Sequence, residues 1–106
     1  WCEPCRAEAA LIERVWQAEK KADEIIFIGL DYQDHQDSAL AYLDEFQITY
    51  MNGADEQSKI ARLYQIRGVP ETILIRPDGT IASTIRGPLL NEARFTDRLN
   101  DIRPQE

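Results

Sequence analysis

The two cysteines of this chain lie three positions apart in its opening run, Trp1-Cys2-Glu3-Pro4-Cys5. At this spacing, one turn of helix brings the two sulfurs within bonding distance. The first sulfur then lies at a helix N-terminus, where unpaired N–H groups and the positive end of the helix dipole favour a thiolate. Helix N-termini and Cys-x-x-Cys motifs lower the pKa of a cysteine thiol from ~8.5 to about 3.5–7.5. The pair therefore predicts thiol–disulfide exchange.

The same residues predict how the exchange proceeds. Cys2 attacks a partner disulfide and forms a mixed disulfide, which the more shielded Cys5 resolves as it releases the reduced partner. Glu3, and to a lesser degree Glu8, oppose thiolate formation through like charge, whereas Arg6 counteracts them. We expect Cys2 and Cys5 to be the catalytic residues and the two acids to tune them.

The cysteine pair admits three other interpretations. A structural zinc site needs four ligands, and beyond the pair the chain offers only His35, in a polar loop, so we expect no metal. A peroxiredoxin-type peroxidase needs a Thr three residues before a lone peroxidatic cysteine. Only one residue precedes Cys2, and a second cysteine at position 5 favours disulfide exchange. An inert disulfide would make the chain a redox-inactive binding module.

Length and composition indicate one globular domain. The chain has 106 residues, of which 43% are hydrophobic and 29% charged, a composition that argues against disorder. Its 19 acidic and 12 basic residues give a net charge of −7, which disfavours binding to nucleic acid or to anionic lipid. No apolar run approaches the ~20 residues of a membrane-spanning helix.

Hydrophobic periodicity and turn residues predict the element order α-β-α-α-β-β-α. The apolar run at 25–30 indicates a strand covered on both faces. No strand is predicted at Tyr50 and Met51, which are expected to pack in the core or in a loop. Strands interleaved with helices and ending in a hairpin indicate an α/β domain with a mixed sheet flanked by helices. The predicted elements are helix 3–21, strand 25–30, helix 37–46, a helix capped by Asp55, strand 71–76, a turn at 77–79, strand 80–86, a break at Gly87-Pro88 and a helix at 91–102 capped by Asn91.

Taken with these elements, the motif at 1–5, the run Gly68-Val69-Pro70-Glu71-Thr72 and the Pro-Asp-Gly hairpin at 77–79 resemble the thioredoxin superfamily. The closer resemblance is to its extracytoplasmic TlpA, ResA and DsbE branch, and it covers essentially the whole chain. Two features are similar to ResA: the Glu-Pro pair that separates the cysteines, and the acid Glu8. The run Pro70-Glu71-Thr72 is closer to DsbE.

This resemblance implies roles that the residues alone do not. Pro70 would follow a cis peptide bond, face the sulfurs and block metal capture, and the backbone of Val69 would pair with an extended substrate chain. Glu71 would contribute to an acidic active-site surface. Trp1 would partly cover the active site, and Glu3, Pro4 and Glu8 would tune it.

The resemblance also implies partners and a location. The chain would be a monomer without a bound cofactor, and its redox-active group would be the cysteine pair itself. Its substrate would be a disulfide in an exported protein, such as apocytochrome c, and its electron donor a membrane thiol transporter of the DsbD or CcdA type. Proteins of this branch work in the periplasm or at the outer face of the cytoplasmic membrane, where a membrane tether holds them.

The start of the sequence carries a further expectation. It begins with Trp1 rather than Met, directly at the motif, where the implied fold has a preceding central strand. We therefore expect the domain to lack that strand and the membrane tether, and the strand at 25–30 to face a gap with unpaired backbone groups.

Overall fold

The computed structural model describes residues 2–31 and 36–104. Its elements follow the predicted order of helices and strands, with one strand in addition. The elements are α1 (Glu3–Glu19), β1 (Ile28–Asp31), α2 (Gln36–Glu45), β2 (Met51–Ala54), a 3-10 turn (Glu56–Ser58), α3 (Lys59–Leu63), β3 (Glu71–Ile75), β4 (Ile81–Arg86) and α4 (Glu92–Ile102).

The strands form two small sheets. In the first, β1 and β2 are parallel, with Ile28 opposite Met51; in the second, β3 and β4 are antiparallel, with Glu71 opposite Arg86. Within the described part of the chain, neither pair hydrogen-bonds to the other. The parallel and antiparallel ladders expected of a mixed sheet are thus both present, as two separate pairs. The pairing that matters for function is the second, because it fixes the segment that follows Pro70.

Strand β2 was not predicted from the sequence. Its residues, Met51 to Ala54, are all exposed and show no alternation of buried and exposed side chains. They include Asn and Gly, which are poor strand formers. Only the backbone ladder with β1 makes the segment a strand, and such a ladder leaves no local signal in the sequence.

The hydrophobic core lies between α1, α4, the β3–β4 sheet and the segment that precedes β1. The ring of Phe27 is at its centre, with ring centroids 5.2 Å from Trp16, 6.1 Å from Tyr50 and 5.8 Å from Phe95. The buried core residues are Leu11, Val15, Ile25, Phe27, Leu74, Leu89, Phe95, Leu99 and Ile102. Leu89 brings the start of α4 into the core, whereas its neighbour Leu90 is 65% exposed.

The apolar run at 25–30 is not covered on both faces, so that prediction was wrong for the described part of the chain. Ile25 and Phe27 are each 9% exposed, whereas Ile26 is 74% and Ile28 62% exposed. The alternation arises because one face of the segment packs on the core and the other faces away from it. The ladder also begins only at Ile28.

Three predicted caps and turns are confirmed. The Asp55 carboxylate accepts hydrogen bonds from the N–H groups of Ile60 and Ala61, both at 2.8 Å, at the start of α3. Asn91 caps α4 by accepting from the N–H of Arg94 at 3.0 Å. Gly79 adopts a φ of +92° in the hairpin turn, a conformation that glycine reaches without a steric penalty.

None of the helices in the described ranges is both long and apolar enough to cross a membrane.

Candidate active site

The cysteine pair forms a disulfide at the N-terminus of α1. Cys2 is the N-cap residue, with extended backbone angles of φ −99° and ψ 100°, and its Sγ accepts a hydrogen bond from the N–H of Cys5 at 3.2 Å. A disulfide joins Cys2 and Cys5, whose Cα atoms are 5.2 Å apart, and both residues are half-buried. Pro4 lies in the first turn, where its missing N–H removes no helical hydrogen bond. The first sulfur thus receives a backbone donor at the positive end of a 17-residue helix.

The charges near the motif are distributed differently from the sequence expectation. Glu3 is exposed, and the Arg6 guanidinium, which was expected to counteract it, forms an ion pair with Glu45 on α2. The same guanidinium lies 5.0 Å from the ring centroid of Phe46. Much of the positive charge expected to offset Glu3 is therefore directed to α2.

A tyrosine on α2 also contacts the motif. The Tyr42 hydroxyl donates to the carbonyl oxygen of Cys5 at 3.1 Å, and its ring packs against Phe46 at a centroid distance of 5.0 Å. Burial raises the pKa of Tyr42, so the hydroxyl stays protonated as a donor. Sequence reasoning missed this contact because the two residues are 37 positions apart.

Glu8 is a buried acid one turn beyond Cys5. The residue is 7% exposed, and its Oε2 accepts a hydrogen bond from the N–H of Leu89 at 2.8 Å. Burial raises the pKa of Glu8 from 4.5 to about 7, and the Leu89 hydrogen bond only partly opposes this. Glu8 therefore exchanges a proton near neutral pH, which is the range in which a thiol–disulfide enzyme transfers protons.

The second part of the site is the segment before β3, residues 67–71, which we call the docking loop. The Val69–Pro70 peptide bond is cis, as the family resemblance implies. Pro70 is buried and Val69 half-buried, while the carbonyl of Pro70 accepts from the N–H of Gly87 at 3.0 Å.

Glu71 lies at the end of the docking loop and points inward. Its side chain is 4% exposed, and its Oε1 accepts from the Arg67 N–H and from the Arg86 Nε, both at 3.3 Å. Its Oε2 is buried without a hydrogen-bond partner among the described residues. The carboxylate that was expected to form part of an acidic surface thus anchors the docking loop to β4.

The chain after β4 links the docking loop to the redox helix. Gly87 bonds to Pro70, and two residues later Leu89 bonds to Glu8. Sequence reasoning treated Gly87-Pro88 only as a break in the chain and gave Arg86 no role. The φ of +96° at Gly87 explains why a glycine stands there.

Two residues considered from the sequence, Trp1 and His35, lie outside the described residues. Within the ranges 2–31 and 36–104, no three His, Cys, Asp or Glu side chains cluster closely enough to hold a metal ion.

Comparison with known proteins places this geometry in a family. A sequence profile of the AhpC/TSA family matches residues 1–84, which include both cysteines and the whole docking loop. The chain belongs to the AhpC/TSA family. Its relatives and structural neighbours support the thioredoxin-like fold and the TlpA, ResA and DsbE branch.

Two relatives illustrate this membership. The chain is 31% identical over 107 residues to the thiol-disulfide oxidoreductase ResA of Oceanobacillus iheyensis, covering 100% of this chain and 54% of the relative. It is 33% identical over 92 residues to the thiol:disulfide interchange protein CycY of Rhizobium leguminosarum, covering 86% of this chain and 47% of CycY. The chain thus spans about half the length of the curated relatives it matches.

A solved structure confirms the fold. A secreted disulfide oxidoreductase of Mycobacterium tuberculosis, described as homologous to Escherichia coli DsbE, superposes with a TM-score of 0.84. The match is 20% identical and covers 95% of this chain and 74% of the other. The α/β arrangement described above is therefore thioredoxin-like.

Proposed function

We propose that this protein is a thiol–disulfide oxidoreductase that reduces disulfides in other proteins through the Cys2–Cys5 pair. The observation that carries the proposal is the disulfide at the N-terminus of α1, with the first sulfur accepting a backbone hydrogen bond. A docking loop with a cis peptide bond is hydrogen-bonded, through residues 87–89, to the same helix. Relatives named as thiol-disulfide oxidoreductases and interchange proteins support this assignment.

The reaction balances without an added cofactor. In the reduced protein, the Cys2 thiolate attacks one sulfur of the substrate disulfide, and the other substrate sulfur leaves as a thiolate and is protonated. The Cys5 thiolate then attacks the Cys2 sulfur, which forms the Cys2–Cys5 disulfide and releases the second substrate sulfur. Two electrons pass from the protein to the substrate, and a donor dithiol must return them.

The surrounding residues act on these steps in different ways. Glu8, with its pKa near 7, is suited to hold or release the proton of the resolving thiol, since it lies three residues from Cys5 on the same face of α1. Val69 and Pro70 receive the substrate chain, and the like charge of the exposed Glu3 disfavours a thiolate next to it.

The family resemblance suggests the partners. We propose an exported, disulfide-containing substrate, with apocytochrome c as a candidate, and a membrane dithiol donor of the DsbD or CcdA type. The protein would act outside the cytoplasm, tethered to the membrane, as a monomer. Its net charge of −7 suits a basic partner at long range.

Catalysed reduction of insulin tests the proposal. With dithiothreitol as electron donor, the protein should accelerate insulin precipitation, and Cys2→Ser should abolish the acceleration. The alternative, a redox-inactive binding module with a structural disulfide, predicts no acceleration and a disulfide that resists reduction while the chain stays folded. That second result would overturn the proposed function.

A further inference from the structure

The acids of the site offer little negative charge to a substrate. Glu8 is 7% exposed and titrates near neutral pH, while the Glu71 side chain is 4% exposed and pairs with Arg86. An ion-paired, buried carboxylate projects a weak field into solvent, because its partner's charge cancels most of it. Of the described acids in the motif and the docking loop, Glu3 alone is exposed.

The cations of the docking loop are in the opposite situation. The Arg86 side chain is 55% exposed and commits its Nε to Glu71, which leaves the outer guanidinium N–H groups turned to solvent. Arg67 is also exposed, since it binds Glu71 through its backbone N–H rather than through its side chain. Both arginines flank the residues that are to receive the substrate, Val69 and Pro70.

The geometry of the hairpin fixes where Arg86 stands. Arg86 is paired with Glu71 across the antiparallel ladder, so it lies beside the first residue after Pro70. The next residue, Gly87, holds the carbonyl of Pro70. A guanidinium at this position can bind a carboxylate in a bidentate manner once a substrate chain lies on the loop.

We infer that Arg86 is a specificity residue, which favours substrate disulfides flanked by an acidic residue. This inference rests on the proposed function and deepens it, since it concerns which substrates the same site accepts. On the side of the docking loop, Arg67 and Arg86 together outnumber the single carboxylate of Glu71, so this side is locally basic within a chain whose net charge is −7. Glu71 partly neutralises Arg86 through their ion pair and does not itself contact the substrate.

Matched peptide substrates test the inference. Three synthetic peptides, each with one intramolecular disulfide, differ only in one flanking residue, which is Glu, Gln or Lys. The reduced protein should reduce the Glu peptide with a kcat/KM about 3–10 times that of the Lys peptide at low ionic strength, and the ratio should fall as salt is added.

Variants of the ion pair should shift this ratio in opposite directions. Arg86→Gln should bring the ratio of kcat/KM between the Glu and Lys peptides close to the ratio expected of an uncharged loop. Arg86→Lys should keep most of the preference for the Glu peptide. Glu71→Gln should raise the ratio, because it frees the charge of Arg86. Arg76→Gln, at the other end of the same hairpin, removes one exposed cation and should leave the ratio unchanged.

The double variant Glu71→Gln/Arg86→Gln is the control for folding defects, because it leaves no unpaired buried charge. It should also lose the preference for the Glu peptide. An equal or higher kcat/KM for the Lys peptide in the unaltered protein would overturn the inference, as would an unchanged ratio in the Arg86→Gln and double variants. Failure to reduce any of the three peptides would instead overturn the proposed function itself.

Discussion

The two halves of the site are built in different ways. The redox helix carries its chemistry in a short stretch of chain: Cys2, the proposed nucleophile, is also the N-cap residue, and its sulfur accepts a hydrogen bond from the N–H of Cys5. The docking loop is held by contacts that are distant in sequence. Glu71 meets Arg86 15 residues away, and Glu8 on the redox helix meets Leu89 81 residues away.

This difference teaches which properties are local. Thiolate stabilisation by a helix N-terminus needs only a short stretch of chain with the right start signal. Presentation of a substrate strand needs a sheet edge, a turn with a positive φ and an ion pair to a buried carboxylate to be formed together. Changes in the first half should therefore alter chemistry directly, whereas changes in the second should alter substrate binding and stability.

The largest expected effect comes from the cysteines. Cys2→Ser should reduce the rate of disulfide reduction at least about 10³-fold, since it removes the nucleophile. Cys5→Ser should leave the first attack intact and accumulate a mixed disulfide with the substrate, which gel electrophoresis without reductant detects. If the Cys2→Ser variant instead accumulates the mixed disulfide through Cys5, the roles assigned to the two cysteines are reversed.

The next effect concerns Glu8, which joins the two halves of the site through its hydrogen bond to Leu89. Because the folded-state pKa of Glu8 is raised from 4.5 to about 7, the native chain binds more protons than the unfolded chain between these values. Stability should therefore fall as pH rises through this window, by up to about 3 kcal/mol, and change little above it. Denaturant unfolding at pH 5 and pH 8 measures this.

Glu8→Gln should remove that pH dependence and lower the pKa of the Cys5 thiol, since it removes an anionic neighbour. The exposed Glu3→Gln is the matched control and should leave the pH dependence of unfolding in place. Unchanged thiol pKa values and exchange rates in Glu8→Gln would eliminate Glu8 as a tuning residue.

Gly87 offers a way to separate binding from chemistry. Its φ of +96° is unfavourable for any residue with a Cβ, so Gly87→Ala should cost about 1–3 kcal/mol and displace the N–H that holds Pro70. Substrate KM should rise while the reduction potential of the cysteine pair stays the same.

Gly79, with a φ of +92° in the distant hairpin turn, provides the control for strain alone. Gly79→Ala should be destabilised to a similar degree without a change in KM. Equal KM values in the two variants would show that Gly87 has no part in holding the docking loop.

The smallest effect tests the support given by α2. Tyr42→Phe removes the hydrogen bond to the Cys5 carbonyl and should cost about 1 kcal/mol. Tyr64→Phe, at a residue 39% exposed, should cost less. A larger loss in Tyr64→Phe would mean that the Tyr42 hydroxyl does not stabilise the redox helix.

The sequence predicted the elements that have local signals. Pro4, Asn91 and the turn at 77–79 define α1, α4 and the hairpin, and the Cys-x-x-Cys spacing identifies the reactive pair. The cis bond at Pro70 came from the family resemblance, because a cis X-Pro bond occurs at only ~5–6% and has no signature of its own.

The remainder depends on contacts across the chain. Strand β2 lacks an alternating pattern and exists through its ladder with β1. The inward position of Glu71 depends on Arg86, and an acid at a strand start is ordinarily expected in solvent. The raised pKa of Glu8 depends on burial that only the assembled core provides. These features arise from tertiary packing, which residue types at fixed spacing do not encode.

Redox titration of the Cys2–Cys5 pair tests the central claim most directly. The protein is equilibrated in thiol–disulfide buffers of defined potential, and its free thiols are labelled and counted. A reductant is expected to give a reversible two-electron couple near or below ~−270 mV, the value of thioredoxin. A couple near ~−120 mV would mean that the protein forms disulfides in its partners, and a pair that is reduced only when the chain unfolds would mean that it performs no exchange at all.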